Sequence, residues 1–292
     1  MKKQLLRQAD GSPWIAIAGE AHNSSASDAV YMSGIWEKAE ELGLNTLLLP
    51  VSWELIEPEE NRFEFTLVDE LIMQARNAGM HVIFLWFGTW KNAQSTYAPE
   101  WVKKDLQRFP RAELEQGKRK IILKNFYNMP YTTLSYLGEE TKHADAKAFA
   151  GLMRHLRVID GKERTVLAVQ VENETGVQGS AREHSTLAEQ LFAKTPPQGL
   201  VDYLENHTDE MDESLKNVWQ NQNAGAERKI TPDSGQDGME KCGKEKGWRE
   251  VFGLAADEIF SAYHIASYVE YVAAAGKAEY DLPMAVNSWL TQ

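Results

Sequence analysis

Residues 169–176 read Val-Gln-Val-Glu-Asn-Glu-Thr-Gly, which sets two carboxylates and two amides within five positions directly after an apolar run. Carboxylates at the edge of an apolar wall suit general acid–base work. Burial and neighbouring charge hold the proton of such a group to higher pH, where it can be given to a leaving oxygen. Alternation along a strand puts Gln170, Glu172 and Glu174 on one face and Asn173 on the other, unless the strand breaks there. Four further apolar runs end in the same manner. They close on Gly19-Glu20-Ala21-His22-Asn23, on Ser52-Trp53-Glu54 with Glu57-Pro58 after it, on Trp86 to Asn92, and on Asn287-Ser288-Trp289.

Elements able to gather these ends are legible as an alternation of short apolar runs and amphipathic stretches, the pattern of an α/β fold with parallel strands. Strands are expected at Trp14–Ala18, Asn45–Val51, His81–Phe87, Thr165–Val171 and Pro283–Trp289. The first helix carries Ile35, Trp36, Ala39 and Leu42 at helical spacing and closes at Gly43. The second spans Thr66–Ala78, with Leu67, Leu71, Ile72 and Ala75 on one face and Gly79 behind it. The third spans Asp145–Val158, with Phe149, Leu152, Met153 and Leu156 inward. A polar segment from Gly88 to about Lys142 is too long for an idle loop. Residues 177–250 read as a polar insertion, with helices at Ser185–Lys194 and Gly199–Gln220 and a mobile stretch at 221–246. A last helix spans Asp257–Ala275, ended by Gly276. The chain reads as one domain, 1–292.

The 292 residues carry a formal net charge of −12 and one cysteine, Cys242. The acidic balance disfavours nucleic acid and anionic membrane surfaces as partners. One cysteine excludes an internal disulfide, and the seven histidines show no metal-ligand spacing, so no metal site is expected. No run reaches the ~18 apolar residues that a membrane span needs. The basic N-terminus lacks the apolar run of a signal peptide, and a cytoplasmic location is expected.

The string at 169–176 resembles the β-galactosidase families 35 and 42 of the retaining (β/α)8-barrel glycoside hydrolases. Two further segments carry the likeness: Pro50 to Phe65, with its Trp, Glu-Pro and Phe-x-Phe, and Phe87 to Asp105, the loop after the third strand. The resemblance implies a (β/α)8 TIM-type α/β barrel and retaining hydrolysis of terminal β-galactosides without cofactor. It makes Glu174 the acid/base and Asn173 its neighbour on the sugar 2-hydroxyl. Glu20, His22, Asn23, Trp53, Trp90 and Asn287 then line the sugar pocket. Other residues read as structure. Glu57 fixes a turn by salt bridge, Glu172 is a buried, paired carboxylate under the site, Trp36 and Trp101 pack, and His81 is a satisfied core histidine. His22 is balanced between sugar contact and a structural hydrogen bond.

One departure from the pattern stands out. A retaining glycosidase needs a second carboxylate about 5–5.5 Å from the acid/base, and the resembled families carry it at the end of a seventh strand. Five strands are counted here, so the barrel is expected to be truncated and the nucleophile absent from these residues. Glu20 is the in-chain carboxylate best able to approach Glu174, although the resemblance gives it a binding role. The expected partners are an oligosaccharide or β-galactoside and either a second copy of the chain or a missing C-terminal portion. Leu47, Leu49, Ile83 and Leu85 would otherwise face an absent wall. Two rival readings are an inactive sugar-binding or oligomerisation fragment and a β-glycosidase of other sugar specificity.

Overall fold

The computed structural model describes residues 5–116, 119–121, 133–217, 219 and 246–288. These form two compact units, where the sequence suggested one domain with an insertion. The first comprises Met1–Ala112, Ile122–Gln178 and Ile265–Gln292, and the second Glu113–Ile121 and Gly179–His264. The mobile stretch expected at 221–246, Cys242 within it and Trp289 of the fifth strand lie outside the described residues, apart from Lys246.

The first unit is built on a parallel sheet in the order β1 (Ala18–Glu20), β2 (Thr46–Ser52), β3 (His81–Lys91), β6 (Val166–Asn173), β7 (Met284–Ala285). Between them come α1 (Ala29–Glu41), α2 (Trp53–Ile56), α3 (Thr66–Asn77), α4 (Glu100–Lys104) and α5 (Glu139–Asp160). The Asp28 carboxylate caps α1, accepting from the Val30 and Tyr31 amides at 2.8 and 2.9 Å. Gly43 and Gly79 follow α1 and α3 with φ of 72° and 65°, backbone that a side chain would strain. A helix at Ala256–Glu279 belongs by its first residues to the second unit and from Ile265 onward to the first.

Three boundaries differ from expectation for physical reasons. The first ladder begins at Ala18 rather than Trp14, because the Asn45 side chain accepts from Ile17 N at 2.9 Å and donates to Ile15 O at 3.0 Å. It thereby occupies the backbone groups that a ladder would use. Ile15 and Ile17 stay 82% and 56% exposed. β3 runs four residues past Phe87, held by side chains described below. Gly276 does not end the last helix. A Cβ there would lie 2.3 Å from a ring carbon of Phe149, so the glycine lets that helix approach α5.

Register assigns the faces. Leu47, Leu49 and Val51 pair with Val82, Phe84 and Trp86, and the latter two with Val169 and Val171. Trp86 meets Phe149 of α5 at 5.5 Å, so this is the helix-covered face. Leu47 and Leu49, 3% and 0% exposed, therefore sit under helices rather than on an open wall, contrary to expectation. Glu20, Leu48, Ile83 and Ala168 line the opposite face, with Gln170 and Ala285 beside them. Ile83 is half-buried there and Leu85 buried.

The second unit holds an antiparallel pair, β4 (Leu114–Gln116) and β5 (Arg119–Ile121), with helices at Thr186–Phe192, Gln198–Asn206, 213–217 and Trp248–Phe252. Its centre is the nearly buried Arg182, which donates to Asp257 and Glu189 and stacks 4.1 Å from the Phe192 ring. Trp248 and Phe260 pack edge to face beside it.

The two environments of glycine separate cleanly by mutation. Gly276→Ala should lower stability by about 1–3 kcal/mol through overpacking against Phe149. Gly34→Ala, in α1 with no atom within 4 Å of its Cβ, should raise it by about 0.5–1 kcal/mol. Urea unfolding of both variants measures the difference.

Candidate active site at the strand ends

At the end of β6 the alternation breaks. Glu172 and Glu174 take left-handed backbone, φ 61° and 48°, which costs about 1–2 kcal/mol at each non-glycine residue. Gln170, Glu172 and Glu174 therefore do not share a face. Glu172 turns its carboxylate inward, toward α5, and accepts from Trp90 N at 2.7 Å and Thr89 N at 3.2 Å. These bonds carry β3 on to Lys91 and produce the register shift before the Lys91–Asn173 pair.

Beside Glu172 lies Asp145 of α5, also fully buried. Asp145 accepts from Trp86 Nε1 at 2.9 Å, from Thr89 Oγ1 at 2.8 Å and from Tyr268 OH at 3.2 Å. Burial, and after it the charge of Asp145, hold the Glu172 carboxyl well above the usual carboxylate range. Burial and then both carboxylates likewise push the Tyr268 phenol up. Glu172 is therefore the carboxyl that keeps its proton to higher pH. Gly88 makes room for both carboxyls, since a Cβ there would stand 2.4–2.5 Å from Glu172 Oε1, Trp86 Nε1 and Asp145 Oδ1.

Above this cluster the strand ends converge. Asn287, two residues past β7, accepts from Glu174 N at 2.8 Å, and Glu174 O accepts from Ala93 N at 2.9 Å. Glu174 is half-buried, and its Oε2 has no hydrogen-bond partner. Lys91 donates to Asn173 Oδ1 at 2.9 Å. Burial lowers the Lys91 ammonium, while the Glu174 and Glu20 carboxylates pull the other way. Glu174, Asn173 and Glu20 of the expected site thus face Lys91, and Asn287 joins them through the Glu174 backbone.

The remaining expected residues stand apart from that group. Trp53 is 0% exposed and donates to Glu57 Oε2 at 3.1 Å. Trp90 is 0% exposed, edge-on to Tyr268 at 4.6 Å, with an unpartnered indole nitrogen. In this structure neither ring offers a face to a sugar. His22 is exposed, and Asn23 lines a hollow with Ser24, Ser52, Leu67 and Tyr97. Glu57 is buried and anchors its turn, accepting from Lys147 at 3.0 Å and from Asn61 N at 2.8 Å. His81 bonds the Arg164 carbonyl at 3.1 Å, and Trp36 and Trp101 each spend their indole N–H on a structural acceptor.

Three residues escaped the sequence reading. Asp145 stands one turn before Phe149 on the same stripe as Leu152 and Leu156, and a carboxylate on an apolar stripe was the available signal. Lys91 was visible as a charge inside the Trp-Lys-Asn end of the third strand. Tyr268 carried no signal beyond its place on a helix.

A family model described as Beta-galactosidase, Glyco_hydro_42, matches residues 30–224. Among solved structures, the chain is similar to the cold-adapted β-galactosidase of Rahnella sp. R3, at 16% identity and a TM-score of 0.53, covering 98% of this chain and 37% of that one. The β-galactosidase of the Antarctic haloarchaeon Halorubrum lacusprofundi gives 16%, 0.53, 94% and 36% in the same order. The catalytic domain of the β-amylase of Paenibacillus polymyxa gives 12%, 0.55, 92% and 65%. At these identities the likeness shows the fold, an α/β parallel sheet matching part of the TIM-barrel glycoside hydrolases. The chain spans about a third of the length of the β-galactosidases it matches. No curated protein matches the sequence. Among the described residues no helix is long and apolar enough to cross a membrane.

The raised Glu172 carboxyl has a measurable consequence. Below the ordinary carboxylate pKa of about 4.3 both folded and unfolded chains hold the proton. As pH rises past it, the unfolded chain releases a proton that the folded chain keeps. This contribution to stability is therefore full at low pH and declines until the folded pKa is passed. Urea unfolding between pH 4 and 8 should show the decline in the native chain, and Glu172→Gln, a permanent mimic of the neutral acid, should flatten it.

Proposed function

The chain belongs to the β-galactosidase family Glyco_hydro_42, and from that membership we propose that it carries the acid/base half of a retaining β-galactosidase site. Glu174 protonates the departing glycosidic oxygen while a second carboxylate attacks the anomeric carbon, and then deprotonates the water that releases the sugar. Asn173, Glu20 and Asn287 line the same pocket. The observation that carries this reading is Glu174 itself. It stands at the C-terminal end of a parallel strand, pinned through its backbone by Asn287 and Ala93, with one carboxylate oxygen uncommitted. The C-terminal ends of such strands are where barrel enzymes keep their chemistry.

The attacking carboxylate is not among residues 1–292 and would come from another segment that joins the sheet. In favour of this, the sheet has five parallel strands and its Glu20–Leu48–Ile83 face is only part-buried. The same segment would cover that face. A neutral galactoside is compatible with the acidic composition.

The residues 1–292 polypeptide is expected to hydrolyse an aryl β-galactoside at no more than background rate, since removing a covalent catalyst costs many orders of magnitude. It should bind an unhydrolysable thio-β-galactoside in preference to the gluco and manno epimers. Ordinary turnover lost in Glu174→Gln would place a nucleophile within these residues. Turnover that survives Glu174→Gln would remove Glu174 from the acid/base role.

A further inference from the structure

Lys91 closes β3 and opens a tight turn. Its N–H donates to Gln94 O at 2.8 Å and its carbonyl accepts from Gln94 N at 3.1 Å. The two residues between, Asn92 and Ala93, have φ of 55° and 54°, the signature of a two-residue type I′ turn. Asparagine tolerates that backbone, whereas alanine is strained in it. Ala93 is held there from both sides, donating to Glu174 O at 2.9 Å and accepting from Thr133 Oγ1 at 2.7 Å. Strained backbone persists where the surroundings over-determine it. Here the result is a lysine fixed in direction and a loop tied to the Glu174 backbone.

The Lys91 side chain is half-buried, runs beside the Phe87 ring at 5.0 Å, and ends 2.9 Å from Asn173 Oδ1. An ammonium has three donors and no acceptor, so it can meet the Asn173 amide only through the oxygen. The amide orientation follows from that chemistry. Asn173 Nδ2 is directed away from Lys91 and meets no acceptor among the described residues. The charged groups facing Lys91 are Glu174 at the end of β6 and Glu20 at the end of β1. Asn287, past the end of β7, is neutral and holds the Glu174 backbone.

We infer that Lys91 is a positioning residue of the site, turning the Asn173 amide so that Asn173 presents hydrogen-bond donors to the sugar hydroxyl, and supplying the positive charge that balances Glu174 and Glu20. The sugar-facing part rests on the reading of Asn173 and Glu174 given above. The balance has a chemical purpose. With Lys91 present, the ends of β1, β3 and β6 carry one cation against two carboxylates, and a third carboxylate approaching the pocket meets less repulsion. Without it, Asn173 is free to flip, and it would then offer a sugar hydroxyl an acceptor instead of donors.

The test is substrate-free NMR of the 292-residue chain, following the side-chain amide of Asn173 and the side-chain ammonium of Lys91. Lys91→Met should shift the two Asn173 NH2 signals and bring them closer together, because the amide loses the partner that fixes its direction. Lys91→Arg, which keeps charge and donors, should restore the native amide signals. Unmoved Asn173 NH2 signals in a folded Lys91→Met chain overturn the inference. Should that variant fail to fold, the native chain answers the same question. The Lys91 ammonium protons should show close contacts to the Asn173 side chain, and their absence is equally fatal. No galactoside enters these measurements, so a null sinks the role of Lys91 whatever the chain binds. A chain that gives the expected signals yet ignores galactosides sinks only the function proposed above.

Discussion

Everything at the strand ends hangs on one buried contact, the Glu172 carboxyl against Asp145. Burial and the neighbouring Asp145 raise the Glu172 carboxyl, and the pair is stable only with a full set of donors. The donors come from Trp86, Thr89, Trp90 and Tyr268. The contact therefore joins β3, β6, α5 and the helix Ala256–Glu279 at a single point. Gly88 is the residue that makes the point possible, because any side chain there would fill the space the carboxyls occupy. An apolar substitute would pack the core as well. It would not accept the two backbone amides that steer β3 beyond its apolar run.

That steering determines what lies above. With Thr89 and Trp90 bound from below, β3 reaches Lys91, which pairs with Asn173 across the bulge. With Glu172 turned inward at positive φ, the next two residues change sides, and Asn173 and Glu174 come up together. Backbone bonds from Ala93 and Asn287 then clamp Glu174. Four of the six non-glycine residues with positive φ among the described residues, Glu172, Glu174, Asn92 and Ala93, belong to this short stretch, while Asn61 and Arg164 lie elsewhere. Such backbone persists where the surroundings over-determine it.

The chain shares the family's parallel sheet, and the two faces of that sheet differ. Its helix-covered face is a finished core, with Phe84, Trp86, Val169 and Val171 closed over by α5. Its other face is lined by Glu20, Leu48 and Gln170, which keep contact with solvent. A barrel interior is filled by side chains from strands on all sides. The five-stranded sheet provides one side of that filling.

The sequence by itself determined the strand order of residue types. Short apolar runs alternating with amphipathic stretches specify parallel β/α units, because burial period is written directly into residue spacing. The stripe Phe149, Leu152, Met153 and Leu156 was legible for that reason, as were Gly43, Gly79 and the polar string from Gln170 to Glu174. Tertiary structure decided what alternation could not. The faces of β2 were misread because Leu47, Leu48 and Leu49 are all apolar, and only register with β3 shows which of them the helices cover. The helix that should have stopped at Gly276 continues, since the glycine serves a close approach to Phe149 rather than a cap. Trp53 and Trp90 were expected at the sugar and are buried, one on Glu57 and one on Tyr268, partners that lie four and 178 residues away. Asp145 and Glu172 are 27 positions apart and Lys91 and Asn173 are 82 apart. A single sequence records the types of such residues but not their proximity. Only the folded chain brings a buried proton beneath one strand end and a lysine beside another.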